Sequence, residues 1–188
     1  MMRYLKKIIF GFLIFILIFI SYFFSGSPPE TKEITWGVNF SQKHAQNFGF
    51  NWQENYLAIL DDLNVKNIKL ITHWDLIEPE KDKYNFNDLD WQIERVKEKG
   101  ANLILVIGMK TGRWPECHIP QWAINFSKEE QQKEILEIIE KIVLRYKDSP
   151  ALKYWQVENE PFFPFGECPW VDKKFLKKEI ELVKFLDP

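Results

Sequence analysis

The sequence predicts a parallel α/β fold, a (β/α)8 barrel of which the chain supplies about the first four βα units, preceded by an N-terminal membrane segment. Three observations predict it. Short apolar, β-branched runs alternate four times with stretches of helical period, the pattern of right-handed crossovers onto a parallel sheet. The first run, "WGVNF", leads into "SQKHAQNFG" and not into the glycine-rich turn of a nucleotide-binding open sheet. Polar and aromatic residues gather after the C-terminal end of every run, the rim on which a barrel builds its site.

The N-terminus reads apart from the rest. Arg3, Lys6 and Lys7 precede Ile8–Phe24, a run without a charge, which suits a short membrane span or the core of a signal peptide. The basic flank, residues 1–7, stays cytoplasmic and sends the remainder out. Small residues stand at Ser25, Gly26 and Ser27, but a cut after Ser27 would set Pro28 against the scissile bond. An uncleaved anchor over 8–24 is therefore expected, with a removed signal peptide as the alternative: the domain is extracytoplasmic, or secreted. Residues 25–33, with Pro28-Pro29, read as a linker, and 34–188 as the domain.

Composition agrees with a folded domain. A hydrophobic share of 46% against 28% charged is a globular balance. The chain's formal charge is −2, and since the N-terminal segment holds three cations and no acid, the exported part is more acidic still, which excludes nucleic acid as a partner. The two cysteines, Cys117 and Cys168, would meet an oxidising compartment and could pair; two buried thiols are the alternative. Eight Trp, six Tyr and sixteen Phe exceed what the periodic segments use as core, so some of the rings are free to stack on a ligand.

The four strands read "ITWGVNF" from Ile34, "NIKLITHW" from Asn67, "NLILVIGM" from Asn102 and "LKYWQVEN" from Leu152. The third is almost continuously apolar, as befits a parallel strand covered on both faces. Ile135, Ile138, Ile139, Ile142 and Tyr146 fall at helical spacing, Ser127 with Glu130 forms a capping box at that helix's start, and Gly100 closes the helix before it. The rim then carries Asn39 after the first strand, His73 and Trp74 after the second, and Glu160 after the fourth. After the third comes an aperiodic loop, Lys110–Ser127, too long for a plain connection. Its Arg113, Trp114, Glu116, His118 and Trp122 mix flat apolar faces with hydrogen-bond donors, which suits a sugar ring; the plainer reading has Trp114 and Trp122 capping the barrel end and Glu116 facing water.

The fourth strand ends in "YWQVENEPFF". Alternation puts Gln156, Glu158 and Glu160 on one face, and Pro161 would hold Glu160 extended at the rim. A carboxyl there, in a part-apolar mouth beside Trp155 or Trp74 and near Glu158, is expected to keep its proton toward neutral pH and serve as a general acid. The Asn159 amide would orient a substrate hydroxyl. The plainer reading makes the glutamates ion-paired interior residues with Lys69 as partner, and for Glu158 that reading is preferred.

"WQVENEP" at the end of a fourth strand resembles the Asn-Glu-Pro signature of the clan A glycoside hydrolases, TIM barrels that include families 5, 35, 39 and 42. The segment "THWDLIEPEKDKYNFNDLDWQIERVKEKGANLILVIG" is similar to that clan's second-to-third-strand region. The resemblance implies hydrolysis of O-glycosidic bonds in an oligo- or polysaccharide by a retaining mechanism. It implies that Glu160 is the acid/base, that Asn159 contacts the sugar 2-hydroxyl, and that Trp74 and His73 line substrate subsites. Lys69 departs from the clan, many of whose members have Arg in that region. So does length: the clan's nucleophile follows a seventh strand, and residues 34–188 suffice for about four units, so the nucleophile is expected beyond Pro188. Glu78, Glu116 and Glu167 are rim acids that spacing does not favour as substitutes. Open edges on the first and fourth strands call for a C-terminal half or self-association. The competing function is a non-catalytic carbohydrate-binding or envelope assembly protein. No cofactor is implied, and His44, His73 and His118 form no metal motif.

Overall fold

The computed structural model describes residues 2–25 and 34–188, which divide into an N-terminal unit, Met1–Ile34, and a domain, Thr35–Pro188. The first holds one helix, α1 (Met2–Phe24), long and apolar enough over Arg3–Phe24 to cross a membrane. Nearly all of its side chains are exposed, the surface of a helix without a polar face. From Gly26 on, the expected linker lies outside the described residues.

The domain's four strands are β1 (Val38–Phe40), β2 (Asn67–Ile71), β3 (Asn102–Ile107) and β4 (Leu152–Val157). They pair in parallel in the order β1-β2-β3-β4. Crossovers between them carry α2 (Gln42–Asn47), α3 (Trp52–Asp61), a single turn α4 (Trp74–Ile77), α5 (Asn87–Glu98) and α6 (Lys128–Tyr146); α7 (Lys173–Leu186) follows β4. The capping box at Ser127 and Glu130 forms as expected, and Gly100, at a φ of 59°, ends the α5 segment.

The strands are shorter than the apolar runs suggest. The first begins at Val38 and not at Ile34, because Ile34 and Trp36 are exposed and β2 offers register partners only to Val38–Phe40. The others stop at Ile71, Ile107 and Val157, and the polar residues beyond them form the rim turns.

The two faces of the sheet differ. Phe40, Leu70, Leu105 and Trp155 stand in register on the face turned to the helices, where α3, α5 and α6 add Tyr56, Ile93, Ile135 and Ile139. Each fully buried Ile or Leu there contributes about 1.5–3 kcal/mol, so this layer is the domain's core. The adjacent row, Asn39, Lys69, Ile104 and Tyr154, lies on the opposite face and is uncovered, with Tyr154 69% exposed. That is the inner face of an unclosed barrel. Among the described residues neither β1 nor β4 has a partner on its outer edge, and an open groove runs along β4 against α7, lined by Tyr154, Val157, Ile180 and Lys184.

Candidate active site

The rim is built where β2, β3 and β4 end. Thr72 donates its hydroxyl to Val106 O at 2.7 Å and Thr111 donates to Thr72 O at 2.6 Å, which fastens the ends of β2 and β3 together. The loop that follows β3 doubles back: Lys110 and Cys117 form an antiparallel bridge, and Cys117 is joined to Cys168 in a disulfide with S–S 2.06 Å. The two rim loops, after β3 and after β4, are thereby one covalent unit.

The turn Glu158-Asn159-Glu160 does not continue the strand. Glu158 and Glu160 have φ of 59° and 47°, left-handed values that a non-glycine residue holds only when its surroundings compel it. The compulsion comes from the end of β3. Glu158 N–H donates to Ile107 O (2.9 Å), Asn159 N–H to Lys110 O (2.6 Å), and the Lys110 ammonium to Glu160 O (3.1 Å) and Phe163 O (2.6 Å).

Two expectations fall with this turn. Pro161 does not hold Glu160 extended, and Gln156, Glu158 and Glu160 do not share a face, because alternation stops at Val157. Glu160 is exposed at the rim, and Glu158 is buried on the helix side. There the Glu158 carboxylate accepts from Met109 N–H (2.7 Å) and Lys110 N–H (2.6 Å) and faces Glu179 of α7, so it neither crowds Glu160 nor pairs with Lys69. A Cβ at Gly108, whose φ is 117°, would fall 2.3 Å from Glu158 Oε1; only glycine leaves the carboxylate its place.

Lys69 donates instead to Gln156 Oε1 at 3.3 Å. An ammonium can only donate, so the Gln156 oxygen must face it and the Gln156 nitrogen must face away. That nitrogen donates to Asn159 Oδ1 and to Glu158 O, each at 3.1 Å. The half-buried Asn159 therefore turns its NH2 toward Gly112.

The remaining expected site residues divide. His73 and His118 are buried with their rings edge to face at 4.6 Å; His73 Nε2 meets Ser41 Oγ at 3.2 Å, and His118 Nε2 meets Gly112 O at 3.1 Å. Burial first, then His118 and Lys43, hold His73 well below the usual histidine range. Burial lowers His118 too, against the pull of the Gly112 carbonyl, so both rings are neutral braces of the rim. Trp74 is 1% exposed, packs edge to face on Trp122 at 5.7 Å, and donates its indole N–H to Glu78 Oε2 at 2.8 Å. Its stacking face is already covered, so Trp74 is core and not a rim surface.

Glu78 and Glu116 are likewise buried, so Glu116 does not face water as the plainer reading has it, whereas Glu167 is exposed. Asn39 is exposed on β1 and lines a groove with Arg113 and His44. Trp114 is 54% exposed and its ring lies 6.0 Å from Phe165, beside an exposed Phe163. Sequence reasoning missed the Lys69–Gln156 relay, the Lys110 clamp and the Lys43–Asp75 ion pair, from which Lys43 also reaches His118 Nδ1 at 3.3 Å.

Four parallel strands with outer helices, a partly exposed inner face, and an Asn-Glu turn clamped at the rim make up part of a (β/α) barrel. Residues 31–177 match the family model of glycosyl hydrolase family 10, and the chain belongs to that family. It is thus a clan A glycoside hydrolase domain, through a family not among the four that the motif resembles.

Beta-galactosidase LacA of Lactobacillus acidophilus is 26% identical over 151 residues, covering 67% of this chain and 22% of the relative. Beta-galactosidase Bga of Halorubrum lacusprofundi is 22% identical over 134 residues, covering 58% and 18%. The chain thus spans about a fifth of the length of these relatives. Among solved structures, xylanase 10B of Thermotoga maritima superposes with a TM-score of 0.60 at 21% identity, covering 81% of this chain and 47% of that one. GH5_18 of Streptomyces cattleya, solved in complex with GlcNAc, gives 0.60 at 14%, covering 84% and 42%. At these identities the superpositions establish the barrel fold alone.

Proposed function

We propose that the chain forms part of a membrane-anchored, extracytoplasmic glycoside hydrolase that cleaves O-glycosidic bonds in an oligo- or polysaccharide with retention. The observation that carries the reading is the rim turn of β4, where Glu160 is exposed beside a half-buried Asn159 whose NH2 points toward Gly112 of the loop after β3. Glu160 protonates the leaving oxygen and then activates water, while Asn159 donates to a sugar hydroxyl. Trp114 offers a ring face nearby, Asn39 borders the opposite end of the rim, and the buried His73 and His118 hold the rim's shape. A retaining mechanism needs a second carboxylate about 5–5.5 Å away. Glu78 is sealed against Trp74 and Glu116 is buried, which leaves Glu167 as the exposed acid of these three; in this reading the nucleophile comes instead from strands that close the barrel on the free edges of β1 and β4, supplied by further chain or by association. Residues 8–24 act as the anchor.

The test is turnover by the barrel-completed protein, with and without Glu160→Gln. β-Galactosides and β-xylosides form the first substrate panel, after the names of the similar proteins. Substrates with poor leaving groups should lose about 10²–10⁴-fold in rate, while activated aryl glycosides lose far less; unchanged turnover removes Glu160 from the role.

The second reading is a carbohydrate-binding or envelope assembly protein without chemistry, favoured by the exposed rings of Trp114, Phe163 and Phe165 beside the turn. Saturable oligosaccharide binding with no product after long incubation of the completed barrel decides for it.

A further inference from the structure

Helix α7 buries Phe175, Glu179 and Val183, one apolar stripe with an acid in its middle. Glu179 is 1% exposed, and its Oε1 has no hydrogen-bond partner among the described residues. A carboxylate is acceptor-only, and leaving a charged one buried without a donor is prohibitively costly; a carboxylic acid is not so penalised. The side chain facing it is the Glu158 carboxyl, which burial raises as well, but which two backbone N–H groups bind in a way that favours its charged form. Two facing carboxyl groups with one set of donors hold one proton between them, and it resides on Glu179.

The other ionisable groups lining this small cavity are Lys110 and Asp172. The Lys110 ammonium is spent on the Glu160 and Phe163 carbonyls, and Asp172 caps α7 and pairs with Lys128 of α6. Neither supplies Glu179 with a counter-charge.

We propose that Glu179 is a positioning residue for the rim: as a neutral acid it donates to Glu158 and so locks the left-handed turn that presents Asn159 and Glu160, and its ionisation releases that turn. The catalytic meaning rests on the reading of Glu160 above; the lock itself does not. Burial, and then the Glu158 carboxylate, push Glu179 up to about 10 from 4.5. A carboxyl raised on folding favours the folded state fully below its unfolded value. That support declines as pH rises above 4.5 and is lost through about 10. The lock is thus closed at neutral pH and opens in alkali.

The experiment is a titration of the full 188-residue chain in detergent micelles, with 13C in the glutamate side-chain carboxyls and 15N in the backbone, followed by NMR. Glu179 should titrate in alkali, apart from the surface glutamates, and the amides of Met109, Lys110 and Asn159 should move in the same transition. Glu179→Gln keeps a donor and removes the proton, so it should preserve those amide positions at neutral pH and abolish the alkaline transition. Glu179→Leu should shift them at every pH; if it does not fold, the wild-type titration still decides. The proposal is overturned if Glu179 titrates with the surface glutamates, or if the alkaline amide transition survives in Glu179→Gln. Turnover enters none of these readings, so a catalytic failure of Glu160 is seen separately.

Discussion

Lys69 on β2 sets the direction of the Asn159 amide at the end of β4 without touching it. Gln156 stands between them, its oxygen 3.3 Å from the Lys69 ammonium and its nitrogen 3.1 Å from Asn159 Oδ1. Since Lys69 cannot accept, the whole chain of amides has one orientation. Lys69 stands on β2, and its partner Gln156 lies on the strand that leads into the Glu158-Asn159-Glu160 turn.

Replacing Lys69 by Met frees Gln156 to turn over and removes the fixed NH2 of Asn159. With one ligand hydrogen bond made unreliable, worth about 0.5–1.5 kcal/mol net, oligosaccharide affinity should fall by about 3–10-fold. Calorimetric titration of wild type and variant measures it, and thermal unfolding of the two should differ little.

Trp74→Ala should act on stability and not on binding. The indole is buried, leans on Trp122 and satisfies Glu78, so its loss should cost about 3–5 kcal/mol, plus the exposure of Glu78 to an unmet hydrogen bond. Urea unfolding reads the loss; a rim surface would have shown weakened sugar binding with little change in midpoint.

How much of this was legible in the sequence depends on whether the signal was local. The capping box at Ser127, the apolar stripe of α6 and the β-branched runs of β2 and β3 depend on neighbours in the chain, and they appear where they are read, the two strands starting at Asn67 and Asn102 but ending sooner. The end of β4 was misread because its backbone is decided by β3, some fifty residues away: Lys110 and the Met109 amide bend Glu158 and Glu160 out of strand geometry. Trp74 was assigned to the rim on its position after a strand, whereas the ring of Trp122, brought back by the long loop, covers it. The sign that could have revealed Glu179 was there, an acid four residues from Phe175 and four from Val183 on a buried stripe.

The disulfide closes a segment with a sequence separation of 51 between Cys117 and Cys168. Chain-entropy reasoning assigns such a bridge about 4 kcal/mol. The double variant Cys117→Ser with Cys168→Ser should unfold at a correspondingly lower urea midpoint, and protease should cut first in the two rim loops that it releases.

Asp90 predicts the acid limb of stability. Its partial burial would raise its carboxyl, but hydrogen bonds from Arg145 and Tyr146 and the Arg145 charge outweigh that and hold it below 3.8. A carboxyl lowered on folding stabilises above its unfolded value and loses that contribution as pH falls through its folded one. Asp90→Asn should therefore flatten the loss of stability below about pH 4 and be felt most near neutrality, a comparison that urea titrations across pH provide.

In the order β1-β2-β3-β4 every strand pairs with the one synthesised just before it. No strand has to wait for a later one to be inserted beside it, as happens in sheets whose middle strand is laid down first and extended both ways. A chain delivered N-terminus first thus finds each docking edge already made, and the sheet grows vectorially, one βα unit at a time. The helix layer can seal the outer face of each new strand as it arrives, which leaves the free edges and the inner face as the surfaces still open to aggregation.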